Sequence, residues 1–337
     1  MRISPPAWVA MLFCLLPLLA GCGSSAIAGG NSASSDPLAG QSFYVDPANL
    51  AAQQATQWQS EGRSSEAAAI SRIAVQPTAT WFAGDPQVKS EVQALTTRAA
   101  EAGKSALLVT YDIPDRDCGS YSAGGALSGA AYRGWVEQFA AGIGNRTATV
   151  ILEPDAIPDA LVHCLSAAIR NERYALLRFA IHTLKAHPQV TVYLDAGNVG
   201  WIHPAARLAA PLRSAGVAEA NGFSLNVSNF FDTATTVAYG SSLSRQLGGE
   251  HFVIDTSRNG NGPDTTAADE PTWCNPPDRA LGAAPTTNTG TPAVDAYLWI
   301  KRPGTSDGSC RPGEPRAGQW WPQYALELAG GPHTTKG

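Results

Sequence analysis

Four aspartates, Asp117, Asp155, Asp195 and Asp307, stand in or just beyond places where an apolar run gives way to polar, Gly- and Pro-containing chain. Carboxyl groups gathered in one cleft cannot all ionise cheaply, so at least one is pushed to keep its proton at neutral pH, which turns an aspartate into a general acid. Glycoside hydrolysis needs such a group to protonate the departing sugar oxygen. Motifs for other chemistries are missing: there is no G-x-x-x-x-G-K-[ST], no H-E-x-x-H and no G-x-G-x-x-G after an apolar run. Ser120-Tyr121-Ser122-Ala123-Gly124 lacks the first glycine of a nucleophile elbow, and the six histidines show no metal-ligand spacing. Trp81, Trp201, Trp273 and Trp299 fall near the ends of apolar runs or in Gly/Pro-rich segments, where sugars could stack on them. Trp299, between Leu298 and Ile300, reads as strand core, whereas Trp81 and Trp273 read as exposed platforms.

The elements that must position these residues alternate in type. Short β-branched runs predict strands at 43–45, 73–76, 106–111, 149–152, 190–194, 222–225, 252–254 and 296–300. Ala-rich segments between them predict helices at 47–69, 87–102, 129–143, 171–186, 204–215, 233–247 and 322–329. Parallel strands that read as continuous apolar runs need helices on their outer faces, which leaves a doubly wound sheet or a closed barrel. Polar residues decide between the two. Tyr111-Asp112, Glu153-Pro154-Asp155, Asp195, Asn226, Asp255 and Lys301 each follow a different apolar run. One such residue would pass as a helix N-cap. Six strand ends contributing to one layer describe the catalytic face of a barrel, since an open sheet gathers its site at a single switch point. The expected fold is therefore α/β, a TIM-like (β/α) barrel forming a single catalytic domain over 41–331, with a 332–337 tail.

With 337 residues, 44% hydrophobic and 15% charged, the chain is too apolar for a disordered protein. Its 23 Lys and Arg against 28 Asp and Glu give a net charge of −5, with no basic run suited to nucleic acid. Arg2 precedes an apolar stretch of about 14 residues, too short to span a bilayer and suited to a signal peptide. Leu19-Ala20-Gly21-Cys22 looks like a lipoprotein cleavage box, which would make 1–21 the leader and Cys22 the lipidated residue, anchoring the chain to a membrane. Cleavage after Ala26-Ile27-Ala28 is the alternative, and both export the chain. Residues 22–40 then form a flexible tether. Cys118, Cys164, Cys274 and Cys310 remain. They allow three pairings, of which the sequence-local one closes loops of about 45 and 35 residues. Absence of C-x-x-C spacing favours disulfides over zinc.

The ordered segments Tyr111-Asp112-Ile113-Pro114-Asp115-Arg116-Asp117-Cys118, Glu153-Pro154-Asp155, Tyr193-Leu194-Asp195-Ala196-Gly197, Ser224-Leu225-Asn226, Asp255-Thr256-Ser257-Arg258-Asn259-Gly260, Trp273-Cys274-Asn275 and Trp299-Ile300-Lys301 through Asp307-Gly308 resemble glycoside hydrolase family 6. The resemblance implies a distorted seven-stranded barrel acting on β-1,4-glucan with inversion; separately, the chain is expected to be a monomer that needs no cofactor and no metal. The resemblance implies that Asp155 is the general acid, that Asp117 keeps Asp155 protonated and receives a proton through water, and that Ser122 holds the attacking water. Tyr111 would disfavour the relaxed sugar chair, and Asp307 would be a further carboxylate debated as the base. Lys301, Trp273 and Asn226 would bind substrate, Trp81 and Trp201 would stack on it, and Asp195 would organise the site. The four cysteines fall where the family has two disulfides. Two departures stand out: Thr305 replaces a usual Glu, and Asn198 replaces a usual His. Retention of both Asp117 and Asp155 argues for turnover over mere glucan binding. The short segments between paired cysteines leave little chain to roof a tunnel, so the expected cut is internal.

Overall fold

Each strand of the barrel turns alternate side chains toward two apolar environments. The computed structural model of the chain describes residues 1–4, 36–162, 164–265 and 272–330. Cys22, most of the expected leader and tether, and the 332–337 tail lie outside the described residues. Helices α1 (Leu50–Ser60) and α2 (Ser64–Ala74) precede β1 (Thr80–Phe82), α3 (Val88–Glu101), β2 (Ala106–Thr110), α4 (Gly129–Ile143) and β3 (Ala148–Leu152). There follow α5 (Ala156–Asp159), α6 (Ala167–Lys185), β4 (Val190–Asp195), α7 (Ala209–Ser214) and β5 (Gly222–Leu225). The last elements are α8 (Thr233–Leu247), β6 (Phe252–Asp255), β7 (Val294–Leu298) and α9 (Pro322–Leu328). Side-chain oxygens start several helices: Ser128 accepts from the N–H of Ala131, Ser166 from Ile169, and Asp232 from Thr235.

The seven strands pair in chain order, all parallel. Leu107, Val109, Ile151, Tyr193, Val253, Ala296 and Leu298 form an inner cluster. Their strand neighbours Leu108, Val150, Val192 and Ile254 pack outward with the helices. With both faces buried, the period-2 alternation of the strands carries apolar groups at every position, which is why they read as unbroken apolar runs. The ring closes loosely. Between β7 and β1 there is one bridge, Thr78 with Trp299, supported by the Ala79 N–H on the Trp299 carbonyl at 3.0 Å and the Trp81 indole N–H on the Ile300 carbonyl at 2.8 Å. This is the distorted seven-stranded barrel that the resemblance implies.

Three element expectations change. Gly62, at φ +77°, ends α1, so the helix expected over 47–69 is two helices. The second continues through 73–74, where a strand is expected, because Ile70 and Ile73 bury against Trp58, Trp299 and Ala325. The first strand is instead Thr80–Phe82, too short to show periodicity. Segment 43–45 makes a single bridge, Phe43 with Ser105, while Leu38 and Phe43 join the inner cluster. Cys118 pairs with Cys164 and Cys274 with Cys310, at sequence separations of 46 and 36. No described helix is long and apolar enough to cross a membrane.

Two glycines in helix interiors test this packing. A Cβ on exposed Gly134 of α4 would meet nothing within 4 Å, whereas one on Gly240 of α8 would lie 2.3 Å from the Phe252 ring and 2.8 Å from Leu225. Gly134→Ala should raise stability by up to about 1 kcal/mol through helix propensity. Gly240→Ala should lower it by about 1–3 kcal/mol through overpacking. Thermal unfolding of both variants checks the contrast; a Gly240→Ala protein as stable as Gly134→Ala would contradict the close seat of α8 on β6.

Candidate active site

All of the polar residues that follow apolar runs lie together at the C-terminal rim: Tyr111 and Asp112 after β2, Glu153 and Asp155 after β3, Asp195 ending β4, Asn226 after β5, Asp255 ending β6, and Lys301 beyond β7. Eight of the ten described non-glycine residues with positive φ are in this rim and its loops: Asp115, Asp117, Cys118, Glu153, Asp155, Asn226, Ser228 and Asn275. Such conformations persist only where the surroundings over-determine them. Buried carboxylates supply that control by accepting backbone N–H groups. Glu153 accepts from Asp112 at 2.9 Å, Ile113 at 3.0 Å and the Tyr132 hydroxyl at 3.1 Å, stitching the loop after β2 to β3. Asp255 accepts from Ser228, Ser257, Ile300 and Lys301, joining the ends of β5, β6 and β7.

Asp195 does the same for Asp155. It is fully buried, and it accepts the backbone N–H of Asp155 at 3.0 Å, that of Gly197 at 2.9 Å and the Ser224 hydroxyl at 3.0 Å. Burial pushes its carboxyl up to about 6, against the pull of those three donors. The carboxyl of Asp155 is pushed well above the usual range, first by burial and then by the charges of Asp195, Asp159 and Asp117; a long 3.4 Å contact from the Tyr111 hydroxyl opposes the rise weakly. Asp195 has donors for its charge and Asp155 has anions around it, so of this coupled pair Asp155 keeps the proton. Asp117 is raised too, by burial, with the Ser122 N–H at 2.6 Å and the charge of Arg116 resisting. Ser122 therefore touches Asp117 through its backbone, and its carbonyl accepts from Arg116 Nε at 2.8 Å.

Asp307 lives in the opposite field. Arg258, with no exposed surface, grips it through two hydrogen bonds of 2.8 and 3.0 Å, and Lys301 Nζ lies 2.9 Å away. Burial alone would raise the Asp307 carboxyl, but the two cations outweigh it and hold it below its ordinary value. A carboxylate so engaged has little affinity for a proton, which ill suits the role of base that the resemblance raises for it. Asn226 is likewise occupied: its fully buried amide donates to the Phe231 and Asp255 carbonyls and accepts from the Phe231 N–H, so it holds the loop after β5.

Two cavities adjoin across the Tyr111–Asp155 contact. The first, about 570 Å³, is lined by Trp81, Tyr111, Ser122, Lys301 and Thr305 among others. The second, about 490 Å³, is lined by Asp117, Asp155, Asn198, Trp201 and Trp273 among others. They meet again where Ser122 donates to Asp117 and where Tyr121, on the first, makes an edge contact of 5.9 Å with Trp273, on the second. Trp273 is 41% exposed, as a platform would be. Trp81 is not the exposed platform expected: it lies in β1, half-buried, with its ring edge-on to Tyr111 at 5.2 Å. Arg258, and Arg173 of α6, also hold the site together, although the sequence alone assigns neither a role. Arg173 is buried, pairs with Asp159 at 3.5 Å, and donates to the Pro114 and Asp115 carbonyls just ahead of Asp117. The motif around Asp255 offered a signal for Arg258; the helical Arg173 offered none.

Comparison with known proteins fits this geometry. Endoglucanase A of Thermobispora bispora is 43% identical over 295 residues, 85% of this chain and 61% of that protein. Endoglucanase 1 of Streptomyces sp. strain KSM-9 is 46% identical over 266 residues, 77% of this chain and 71% of that protein. The chain thus spans about three-fifths of the length of the first of these relatives. The Mycobacterium tuberculosis endoglucanase Cel6, solved with methyl-cellobiosyl-4-deoxy-4-thio-β-D-cellobioside, superposes with a TM-score of 0.82 at 46% identity, covering 88% of this chain and 99% of that one. The family model described as Glycosyl hydrolases family 6 matches residues 38–331, and the chain belongs to that family.

Proposed function

We propose that this chain is an exported endo-β-1,4-glucanase that cleaves internal bonds of a glucan with inversion at the anomeric carbon. The observation that carries the reading is Asp155, hydrogen-bonded through its backbone N–H to Asp195 where the two cavities meet, its carboxyl pushed up first by burial and then by the charges of Asp195, Asp159 and Asp117. Asp155 transfers its proton to the glycosidic oxygen as the C–O bond breaks. A water attacks the anomeric carbon from the opposite face and loses its proton toward Asp117, whose burial raises its affinity for one. Asp117 then releases that proton to solvent and Asp155 takes one up from solvent, which restores the starting state. Tyr111, held between Trp81 and the Arg116 guanidinium 4.5 Å from its ring, crowds the sugar at the cut. Trp201 and Trp273 offer faces to the chain on one side, Trp81 and Lys301 offer contacts on the other, and the internal cut agrees with the names of the relatives.

Asp155→Asn should lower turnover on soluble β-glucan by about 10²–10⁴-fold while glucan binding stays near wild type. Reducing-end release together with the anomer seen by NMR at early times tests the whole reading. An α-anomer is expected as first product, and a β-anomer or an active Asp155→Asn enzyme would reject it.

The Asp195 charge raises Asp155, so removing that charge in Asp195→Asn lets Asp155 lose its proton at lower pH. The alkaline limb of the kcat profile should move toward acid, and an unmoved limb would contradict the coupling. Arg258→Met leaves Asp307 buried with one cation, a loss of about 3–5 kcal/mol. Combining it with Asp307→Asn should recover part of the unfolding free energy, since the unpaired charge goes too.

For localisation, the support is two disulfides, which persist in oxidising compartments. A lipid anchor at Cys22 and a monomeric enzyme complete the proposal. Incorporation of labelled palmitate by the full chain, lost in Cys22→Ser, would support the anchor; equal labelling of both would exclude it.

A further inference from the structure

The two cavities carry opposite charge. Among the described residues lining the first, the Lys, Arg, Asp and Glu side chains are Arg116, Lys301, Arg302 and Arg316, four cations without a carboxylate. The second is lined by Asp117, Asp155 and Asp159 without a cation. Two of the four cations are occupied, Arg116 by backbone carbonyls and the Tyr111 ring, and Lys301 by Asp307. Among the described residues the guanidinium groups of Arg302 and Arg316 make no hydrogen bond or ion pair.

Arg316 is exposed, so solvent serves it. Arg302 is half-buried, and burial alone depresses its proton affinity, with no anion to offset it. Thr305 lines the same cavity and donates its hydroxyl to the Arg302 carbonyl at 2.9 Å, leaving the Arg302 guanidinium without an acceptor from this residue. Among the described lining residues no carboxylate offsets Arg302 or Arg316. The hydroxyls of an uncharged sugar accept single hydrogen bonds from such cations, whereas a carboxylate also neutralises the charge and matches the planar guanidinium fork. The same carboxylate in the second cavity would meet three like charges.

We infer that the first cavity takes sugar units bearing a carboxylate, so that the preferred substrate is an acidic β-1,4-linked glucan cut with its charged units on the Arg302 side and uncharged units on the Asp117 side. The inference rests on the glucanase reading above and adds to it the substrate class and an orientation.

Lightly substituted carboxymethylcellulose and hydroxyethylcellulose of equal substitution provide the test, with substituents at the new chain ends located by mass spectrometry. For the wild type, carboxymethyl groups should gather next to one kind of new end, reducing or non-reducing, and be depleted next to the other. Hydroxyethyl groups should show no such asymmetry. Arg302→Gln/Arg316→Gln should erase the bias and reduce kcat/KM on the acidic polymer about tenfold relative to the neutral one, the size expected for lost hydrogen bonds to a charged group. Raising the salt applied to the wild type should act in the same direction without any substitution. Cleavage of both polymers with carboxymethyl groups excluded equally from both new ends would overturn the inference and leave the glucanase reading intact. Failure to release ends from either polymer would overturn both.

Discussion

At the end of β4 the carboxylate of Asp195 accepts the backbone N–H of Asp155, the N–H of Gly197 and the Ser224 hydroxyl. The first of these bonds restrains Asp155 at φ +72°, in the left-handed region just after β3, and brings the two carboxyl groups into electrostatic contact. Asp195 therefore acts on the position of Asp155 and, after burial, on its protonation. The hydrogen bonds favour the charged form of Asp195, and that charge disfavours a second one on Asp155. Barrel geometry makes this possible, because β3 and β4 are adjacent parallel strands in register through Leu152 with Leu194 and so end side by side.

The same rim holds an aspartate in the reverse condition. Asp307 is buried and Asp155 half-buried, yet Arg258 and Lys301 keep Asp307 ionised where Asp155 is kept neutral. Neighbours rather than residue type assign the two states, and they are segregated in space: cations line one cavity and carboxylates the other. The rigid supports beneath belong to neither cavity. Glu153, Asp255 and Asn226 are buried and bonded largely to backbone, so the loops that carry the chemistry are held by polar groups that have no exposed surface.

Much of this is legible in the amino-acid sequence. Strands buried on both faces read as apolar runs, and the polar residue ending each run marks the rim, so the rim placement of Tyr111, Asp155, Asp195 and Lys301 is legible from pattern, whereas the role of each comes from the family resemblance. What escaped depends on contacts remote in sequence. Thr80–Phe82 is a strand because it pairs with Leu108, Val109 and Thr110, a partnership that three residues cannot advertise. Ile73 is helical because Trp299 and Ala325 bury it, which overrides its β propensity. Arg258 and Arg173 look like ordinary arginines until Asp307 and Asp159 are brought beside them. Asn226 has the residue type and the strand-end position of a substrate ligand, and only its backbone partners reveal another duty.

Carbon-13 NMR titration of the aspartate carboxyl carbons measures the proton on Asp155 directly, with Asp155→Asn identifying its resonance. The account predicts a carboxyl that remains protonated at neutral pH and is absent from the variant. A resonance for Asp155 that titrates in the ordinary carboxylate range, with Asp195 intact, would contradict it.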